Sequence, residues 1–457
     1  MRIEDFKNIY FIGIGGIGMS AIARYFHSIG KNVFGYDRTP TQLTAELIKE
    51  GIGITFDEEL NQIPEPYKAN EKTLVVYTPA IPSSHAQLKF FQANDFVIKK
   101  RSEVLGLLSD HLNGIGIAGT HGKTTVSTIT SHIFKTSSLG CNAFLGGISR
   151  NYQSNLLLSK NSPWVILEAD EFDRSFLQLH PQIAVITSMD ADHLDIYGDK
   201  NELEKSFQEF VSQIKKGGSL VHKKGLILKT NDISTYSYSL KEEADFYVKN
   251  MKLVEGFYQF DLIHPSGVLQ NLKFSYPGKI NVENAVAATS VALLCGVKEE
   301  EIRIALASFE GVRRRFDYHI RKENLVFIDD YAHHPKELLE SISSVRELYP
   351  DKKITGVFQP HLYTRTRDFA EGFADSLNLL DEVILLDIYP ARELPIEGVT
   401  SEIIFKNLKV PSKLCKKEEL IEVLKEIELE VLLTLGAGDI DKLVEPVKNL
   451  LSERIKC

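Results

Sequence analysis

Ile115-Gly116-Ile117-Ala118-Gly119-Thr120-His121-Gly122-Lys123-Thr124-Thr125 governs how this chain is read. A short apolar run ends at Gly119. A glycine-bounded turn follows, and Lys123-Thr124-Thr125 leads into a segment, 126–134, that reads as a helix. Strand, turn with exposed backbone N–H groups and helix N-terminus are the layout of a phosphate-binding loop. In such a loop Lys123 reaches the β- and γ-phosphates of a nucleotide, and a following hydroxyl holds Mg²⁺. The strict pattern has glycine where this chain has Ile117, so the loop is a shortened form. An ordinary turn before a helix is the competing reading.

Around the loop, 457 residues suggest about three domains. The chain is 43% hydrophobic and 25% charged, as in globular proteins that dissolve in water. A net charge of −9 without a long basic run argues against nucleic acid or an anionic membrane as the main partner. Cys141, Cys295, Cys415 and Cys457 are far apart and form no CxxC pair, which suggests reduced thiols in a cytoplasmic protein. The N-terminal apolar run is short and enters glycines, so neither a signal peptide nor a membrane span is expected.

Before the loop, an apolar strand at 8–12 runs into Gly13-Ile14-Gly15-Gly16-Ile17-Gly18 and then a helix-like 19–29. A second strand, 32–36, ends at Asp37, which lies 19 residues after Gly18, close to the ~20 expected of a Rossmann-like βαβ unit. The physics puts a diphosphate on that helix N-terminus without saying whose. Glycines that only let helix and strand pack closely are the alternative. A strand at 73–77 ends in the rigid Thr78-Pro79-Ala80-Ile81-Pro82 turn, at the edge where ligands gather in α/β folds. Another strand is expected at 96–99, followed by Arg101-Ser102-Glu103.

Beyond the loop, strand 164–167 ends in Glu168-Ala169-Asp170-Glu171-Phe172-Asp173, and strand 183–187 leads to Asp190-Ala191-Asp192-His193-Leu194-Asp195. Acids crowded at strand ends near a phosphate loop suit a Mg²⁺ site; a solvated acidic turn is the plainer reading. Segment 203–214 has the spacing of a cover helix, and 220–276 is β-rich, which predicts a mostly antiparallel flap. Asn281 and Asn284 open a small-residue helix, where one of them could cap it. Arg313-Arg314-Arg315 marks a hinge, read either as a solvated turn or as an arginine aimed at phosphates. Further strands at 324–328, 354–358, 382–386 and 430–435 each end in polar, glycine or basic residues, the layout of a parallel sheet with a site on one edge.

Taken in order, these strand ends resemble the Mur ligases, ATP-dependent amide-forming enzymes of bacterial cell-wall precursor synthesis. The resembling motifs are Gly13 to Ser20, Gly119 to Thr125, Glu168-Ala169-Asp170-Glu171, Asp192-His193, Asn281 with Asn284, and Arg315-Phe316. Asp329-Asp330-Tyr331-Ala332-His333-His334-Pro335, Phe358-Gln359-Pro360-His361 and Gly436-Ala437-Gly438-Asp439-Ile440 follow in family order. Within the family the pattern is most similar to the alanine-adding branch.

The resemblance implies an α/β protein of three domains. Residues 1–108 would form a Rossmann-like domain for the UDP substrate, and 109–312 a central P-loop ATPase-like domain with a β-rich addition. Residues 313–457 would form a C-terminal Rossmann-like domain that brings the amine. The implied substrates are UDP-N-acetylmuramate, L-alanine and ATP, with Mg²⁺; no nucleic acid and no stable membrane association are expected, and the chain would be a monomer or homodimer. The lactyl carboxylate attacks the γ-phosphate to give an acyl phosphate, which the amine then opens. Gly13, Gly15, Gly16, Gly18, Met19, Ser20, Asp37, Thr78, Pro79 and Ala80 would bind the UDP substrate. Gly119, Thr120, His121, Gly122, Lys123, Thr124, Thr125, Asn284, Arg315 and Asp330 would bind ATP. Thr124 or Thr125, with Glu168, would hold one Mg²⁺, the first of these two threonines being preferred, and His193 would sit at a second. Lys123, His193, His334 and Arg365 would be catalytic, with His361 a further candidate and His334 the guess for the base.

Three positions depart from the family pattern. Ile280 stands where a histidine is usual, Leu362 where an arginine is frequent, and Phe207 where several members carry a modified lysine, with Lys205 two residues away. Two other activities compete with the amino-acid ligase. One is a ligase that attaches a preformed tripeptide, and the other an NAD(P)-dependent oxidoreductase built on the first glycine motif. A non-enzymatic NTP-driven binding protein is a third reading.

Overall fold

The computed structural model describes residues 5–110, 112–190, 197–391 and 393–456. Its strands form three sheets. In each, short apolar runs pair in parallel and are buried on both faces, which is why they lack the in–out alternation of a half-exposed strand.

The first sheet has β1 (Asn8–Ile12), β2 (Asn32–Tyr36), β3 (Gly53–Thr55), β4 (Thr73–Tyr77) and β5 (Val97–Lys100) in the order β3-β2-β1-β4-β5. All its pairs are parallel. Ile12 is level with Tyr36 on one side and Tyr77 on the other. The glycine turn, Asp37 and Thr78 therefore leave the sheet at one edge.

The second sheet starts with β6 (Asn113–Ala118), β7 (Asn142–Ser149), β8 (Ser154–Leu157), β9 (Trp164–Glu168) and β10 (Ile183–Ile186). It continues through β11 (Ser219–Lys223), β12 (Ser234–Ser239), β13 (Phe246–Val254), β14 (Phe257–His264) and β15 (Gly267–Phe274). Their order is β15-β14-β13-β12-β11-β10-β6-β9-β7-β8. Strand β6 lies between β9 and β10, with Ile117 opposite Glu168 and Ala118 opposite Ile186. The phosphate loop thus emerges with Glu168 on one side and Thr187 on the other. The β-rich stretch differs from the predicted antiparallel flap at its start. Strands β11 and β12 extend the sheet in parallel, and β13 still enters parallel to β12. The ten residues between β11 and β12 are too many for a tight hairpin, whereas β13, β14 and β15 are joined by two-residue links.

The third sheet has β16 (Asp317–Arg321), β17 (Val326–Asp330), β18 (Ile354–Phe358), β19 (Glu382–Leu386), β20 (Ser412–Cys415) and β21 (Val431–Leu435). The order is β16-β17-β21-β18-β19-β20, parallel except for β16 against β17. Asp330, Leu435 and Phe358 share one level, so three strand ends deliver Asp330, Gly436 and Gln359 together.

The chain forms two compact units. The first comprises 1–252, 259–274 and 283–310 and contains the whole first sheet and most of the second; the other comprises 253–258, 275–282 and 311–457 and contains the third. Within the first unit, the helix Ile17–Ser28 packs on β7 and β8 and buries Ile22 and Phe26 in one core with Phe144 and Leu167. The fully buried Asn155 of β8 donates to Ile17 O at 2.6 Å and to Ser20 Oγ at 2.9 Å. The first two sheets are therefore one body, joined through the helix that starts at the glycine turn. Among the described residues no helix is long and apolar enough to cross a membrane.

Candidate functional site

The glycine turn is held by its own fold. Gly13 and Ile14 donate to Tyr36 O at 2.8 and 3.0 Å, and Gly15 N donates to Asp37 Oδ2 at 2.7 Å. Gly13 has φ +90°, and a Cβ on it would lie 2.8 Å from Thr78 Cγ2. Asp37 thus pins the turn through Gly15. The first-turn N–H groups of Ile17, Gly18 and Met19 have no intrahelical acceptor by geometry. These three residues and Gly16 line a cleft of about 240 Å³ together with Thr78, Pro79 and Arg101. The far wall of the same cleft is Phe144, Gly146, Glu168 and Asp170. Ser20, by contrast, is fully buried and bonded to Asn155, so it joins the two sheets; Ala80 is exposed beside the cleft's Pro79.

Arg101 lines this cleft, although the glycine and acid motifs do not mark it. It begins the helix after β5, its side chain crowds the place a Gly18 Cβ would take, and its Nη2 lies 3.6 Å from Asp170 Oδ2. The available signal is its place at the carboxyl end of a parallel strand, the same edge logic that identifies Asp37 and Thr78.

At the phosphate loop, Gly119 has φ +133° and Gly122 φ +84°, both in the region that favours glycine. The helix Lys123–Thr136 starts directly on Gly122. Thr187 Oγ1 donates to His121 O at 2.5 Å, Ser188 Oγ accepts from His121 N at 2.8 Å, and Thr120 Oγ1 lies 2.9 Å from Ser188 Oγ. The end of β10 thereby shapes the turn. Thr125 is buried in the first turn of the helix. Asn284 Oδ1 stands 2.8 Å from where a Gly122 Cβ would be. The helix Lys279–Leu294 opens before Asn281, whose Nδ2 reaches back to Pro277 O at 2.6 Å, so neither asparagine is its cap.

Lys123 Nζ donates to Gly119 O at 2.7 Å and lies 2.9 and 2.8 Å from the two carboxylate oxygens of Glu171. Burial opposes its charge, but Glu171, then Asp170 and Glu168, outweigh it and hold the ammonium above the ordinary lysine range. Thr124 Oγ1 is 3.1 Å from Glu168 Oε1, and a Cβ on Gly146 would overlap the Glu168 carboxylate. This hydroxyl–carboxylate pair beside a lysine fits Mg²⁺ with a polyphosphate, because Mg²⁺ takes hard oxygen ligands and leaves positions to phosphate and water. Among the described residues no three His, Cys, Asp or Glu side chains gather as a metal cage. His193 lies outside the described residues.

In the second unit, Arg314 and Arg315 sit over the Tyr331 ring at 5.2 and 4.7 Å, and Arg314 Nε is 3.3 Å from the buried Asp329. Asp330 accepts from Ser341 Oγ at 2.7 Å. Burial pushes its carboxyl up to about 6, against the Ser341 hydrogen bond and Arg315. His334 caps the helix Pro335–Leu348 by accepting from Lys336 N at 3.3 Å. Its neighbour His333 instead faces His361, with ring centroids 6.0 Å apart, and His361 Nδ1 is 3.4 Å from Arg365 Nη1. Burial lowers His333 to about 4, so it is neutral at pH 7. Leu362 has φ +70° and donates its N–H to Tyr389 O at 2.9 Å.

Lysine, glycine turn, helix N-terminus and a flanking carboxylate at the centre of a parallel sheet are the parts of a phosphate-binding α/β protein, and a cleft connects them to the glycine turn of the first sheet. Three family models match in sequence: "Mur ligase family, catalytic domain" over residues 8–112, "Mur ligase middle domain" over 117–292, and "Mur ligase, glutamate ligase domain" over 314–440. The UDP-N-acetylmuramate–L-alanine ligase of Phocaeicola vulgatus is 52% identical over 99% of this chain and 100% of its own length. Among solved structures, UDP-N-acetylmuramate-alanine ligase MurC from Thermotoga maritima aligns with a TM-score of 0.83 at 27% identity, covering 98% of this chain and 99% of its own. A murein peptide ligase from Psychrobacter arcticus shares the fold with a TM-score of 0.68 at 18% identity, covering 97% and 98%. The chain belongs to the Mur ligase family.

Proposed function

We propose that this chain is an ATP-dependent ligase that joins L-alanine to the lactyl carboxylate of UDP-N-acetylmuramate in the cytoplasm. The observation that carries this reading is a cleft lined at one end by the first helical turn, Ile17–Met19, and at the other by Glu168 beside the phosphate loop. A UDP-sugar acid whose diphosphate rests on that helix N-terminus and Arg101 extends its carboxylate toward Lys123 and Thr124. The names of the full-length relatives support the choice of sugar and amino acid.

In this reading residues 1–108 bind the UDP substrate, 109–312 bind ATP and 313–457 bind the amino acid. The carboxylate oxygen attacks the γ-phosphorus, the bond to the β-phosphate oxygen breaks and ADP leaves. The amine of L-alanine then attacks the acyl carbon, inorganic phosphate departs and the amine proton is released. Two anions meet in the first step, so Lys123 and the loop N–H groups must offset their repulsion. Thr124 and Glu168 would hold Mg²⁺, which when bound withdraws charge from the phosphates. Asn284, Arg315 and Asp330 are assigned to the nucleotide. Arg365, with His361 and His333, is assigned to the amino-acid carboxylate.

The test is phosphate release with UDP-N-acetylmuramate and ATP across L-alanine, glycine, L-serine and the stem tripeptide. Release is expected to be fastest with L-alanine; release with the tripeptide alone overturns the assignment. A pH profile checks Asp330. Its carboxyl is neutral below about 6 and ionised above. A ribose hydroxyl donates best to the ionised form, so kcat/KM for ATP should rise through pH 6, and Asp330→Asn should flatten that rise.

A further inference from the structure

Glu171 is the acid of the Glu168–Asp173 run with the closest hold on the phosphate loop. Its side chain is fully buried, and both of its oxygens face Lys123 Nζ at 2.9 and 2.8 Å. An ammonium has three donors; Lys123 gives one to Gly119 O at 2.7 Å and one to Glu171 Oε1 at 2.9 Å, so two of the three are held within the loop. The backbone that carries Glu171 is fixed as well. Tyr197 Oη donates to Glu171 O at 2.6 Å, and Arg174 N donates to the same oxygen at 2.9 Å. Asp173 and Arg174 both take positive φ, 54° and 53°, a costly pair that the surroundings impose. Lys100 Nζ then holds Asp173 Oδ2 at 2.9 Å. A segment this constrained sets its carboxylate in one place.

We propose that Glu171 is a positioning residue for the reaction: it holds the Lys123 ammonium across the mouth of the phosphate loop and gives it up to the γ-phosphate when ATP binds. The inference rests on the ATP-dependent reading above. It has two opposed consequences. Glu171 competes with the nucleotide for the same ammonium, so it weakens ATP binding. It also aims that ammonium, so it raises the rate of phosphoryl transfer once both substrates are present. A carboxylate that only braced the fold would do neither.

The experiment measures the Kd for ATP with Mg²⁺ by titration calorimetry, without the UDP substrate, and kcat by phosphate release, in the full-length protein. For Glu171→Gln we expect ATP to bind about tenfold more tightly, the scale of one lost charge-assisted competitor. We expect kcat to fall about 10- to 100-fold, the scale of a misplaced reacting group. Glu171→Asp keeps the charge on a shorter stem, so its Kd should stay within about twofold of the wild type while kcat falls about tenfold. Glu171→Gln that binds ATP no more tightly than the wild type, or turns over as fast, overturns the role. If Glu171→Gln does not fold, an unchanged kcat in Glu171→Asp overturns it instead. A wild type that fails to bind ATP removes the nucleotide reading itself, which is a different failure from a wild type that binds and a variant that matches it.

Discussion

Lys123→Ala should lower kcat by at least about 10³-fold, the upper scale for losing one preorganised group that meets transition-state charge. The same change takes from the buried Glu171 the ammonium that faces both its oxygens. Breaking one side of a buried pair costs about 3–5 kcal/mol, because the remaining charge loses its counter-ion without regaining water. Low activity in Lys123→Ala would therefore mix a lost catalytic group with a weakened fold. The double variant Lys123→Ala/Glu171→Gln separates them. It removes the uncompensated charge, so its thermal midpoint should recover most of the loss, while kcat stays as low as in the single variant. Binding of the UDP substrate without ATP should be nearly unchanged in both, since the contacts proposed for its diphosphate lie at the glycine turn and Arg101 and only its carboxylate reaches toward Lys123. Activity near the wild type in either variant removes Lys123 from the mechanism.

Gly119→Ala should abolish ATP binding and destabilise the first unit. Gly119 sits at φ +133°, where an L side chain is strained. Its added Cβ would overlap Thr187 Oγ1 and lie 2.8 Å from Ser188 N. The second of these is backbone at the end of β10 and cannot rotate away. Relief requires the turn to move, and moving it breaks the Thr187 hydrogen bonds to Ala118 O and His121 O. Strain and lost hydrogen bonds together should cost about 2–4 kcal/mol. Calorimetric titration with ATP and a thermal melt check this; ATP affinity within about threefold of the wild type, or roughly 0.7 kcal/mol, would show that the turn's geometry is not what binds phosphate.

Much of this was legible along the chain because parallel α/β folds advertise their sites at strand ends. The runs ending at Ile12, Ala118, Ile328, Phe358 and Leu435 are apolar stretches followed by glycine or polar residues, and each lies in a strand whose carboxyl end reaches the edge of its own sheet. Short or interrupted strands escaped this reading. Gly53–Thr55 has three residues, and Asn142–Ser149 is broken by Gly146-Gly147, so neither has a period to detect. The parallel entry of β11 and β12 also escaped it, because composition distinguishes strand from helix better than one pairing direction from another.

Glycine placement and strand-end chemistry are local properties, so the loop, its lysine and the family pattern around them were already set along the chain. Which acid meets that lysine was not. Glu168, Asp170, Glu171 and Asp173 are four similar carboxylates within six residues. The fold turns Glu168 to Thr124, Asp170 to Arg101, Asp173 to Lys100 and Glu171 to Lys123. It likewise makes His334 a helix cap and His333 the neighbour of His361. Adjacent residues of the same type differ only in the direction the backbone gives them, and that direction comes from packing against strands distant in the chain.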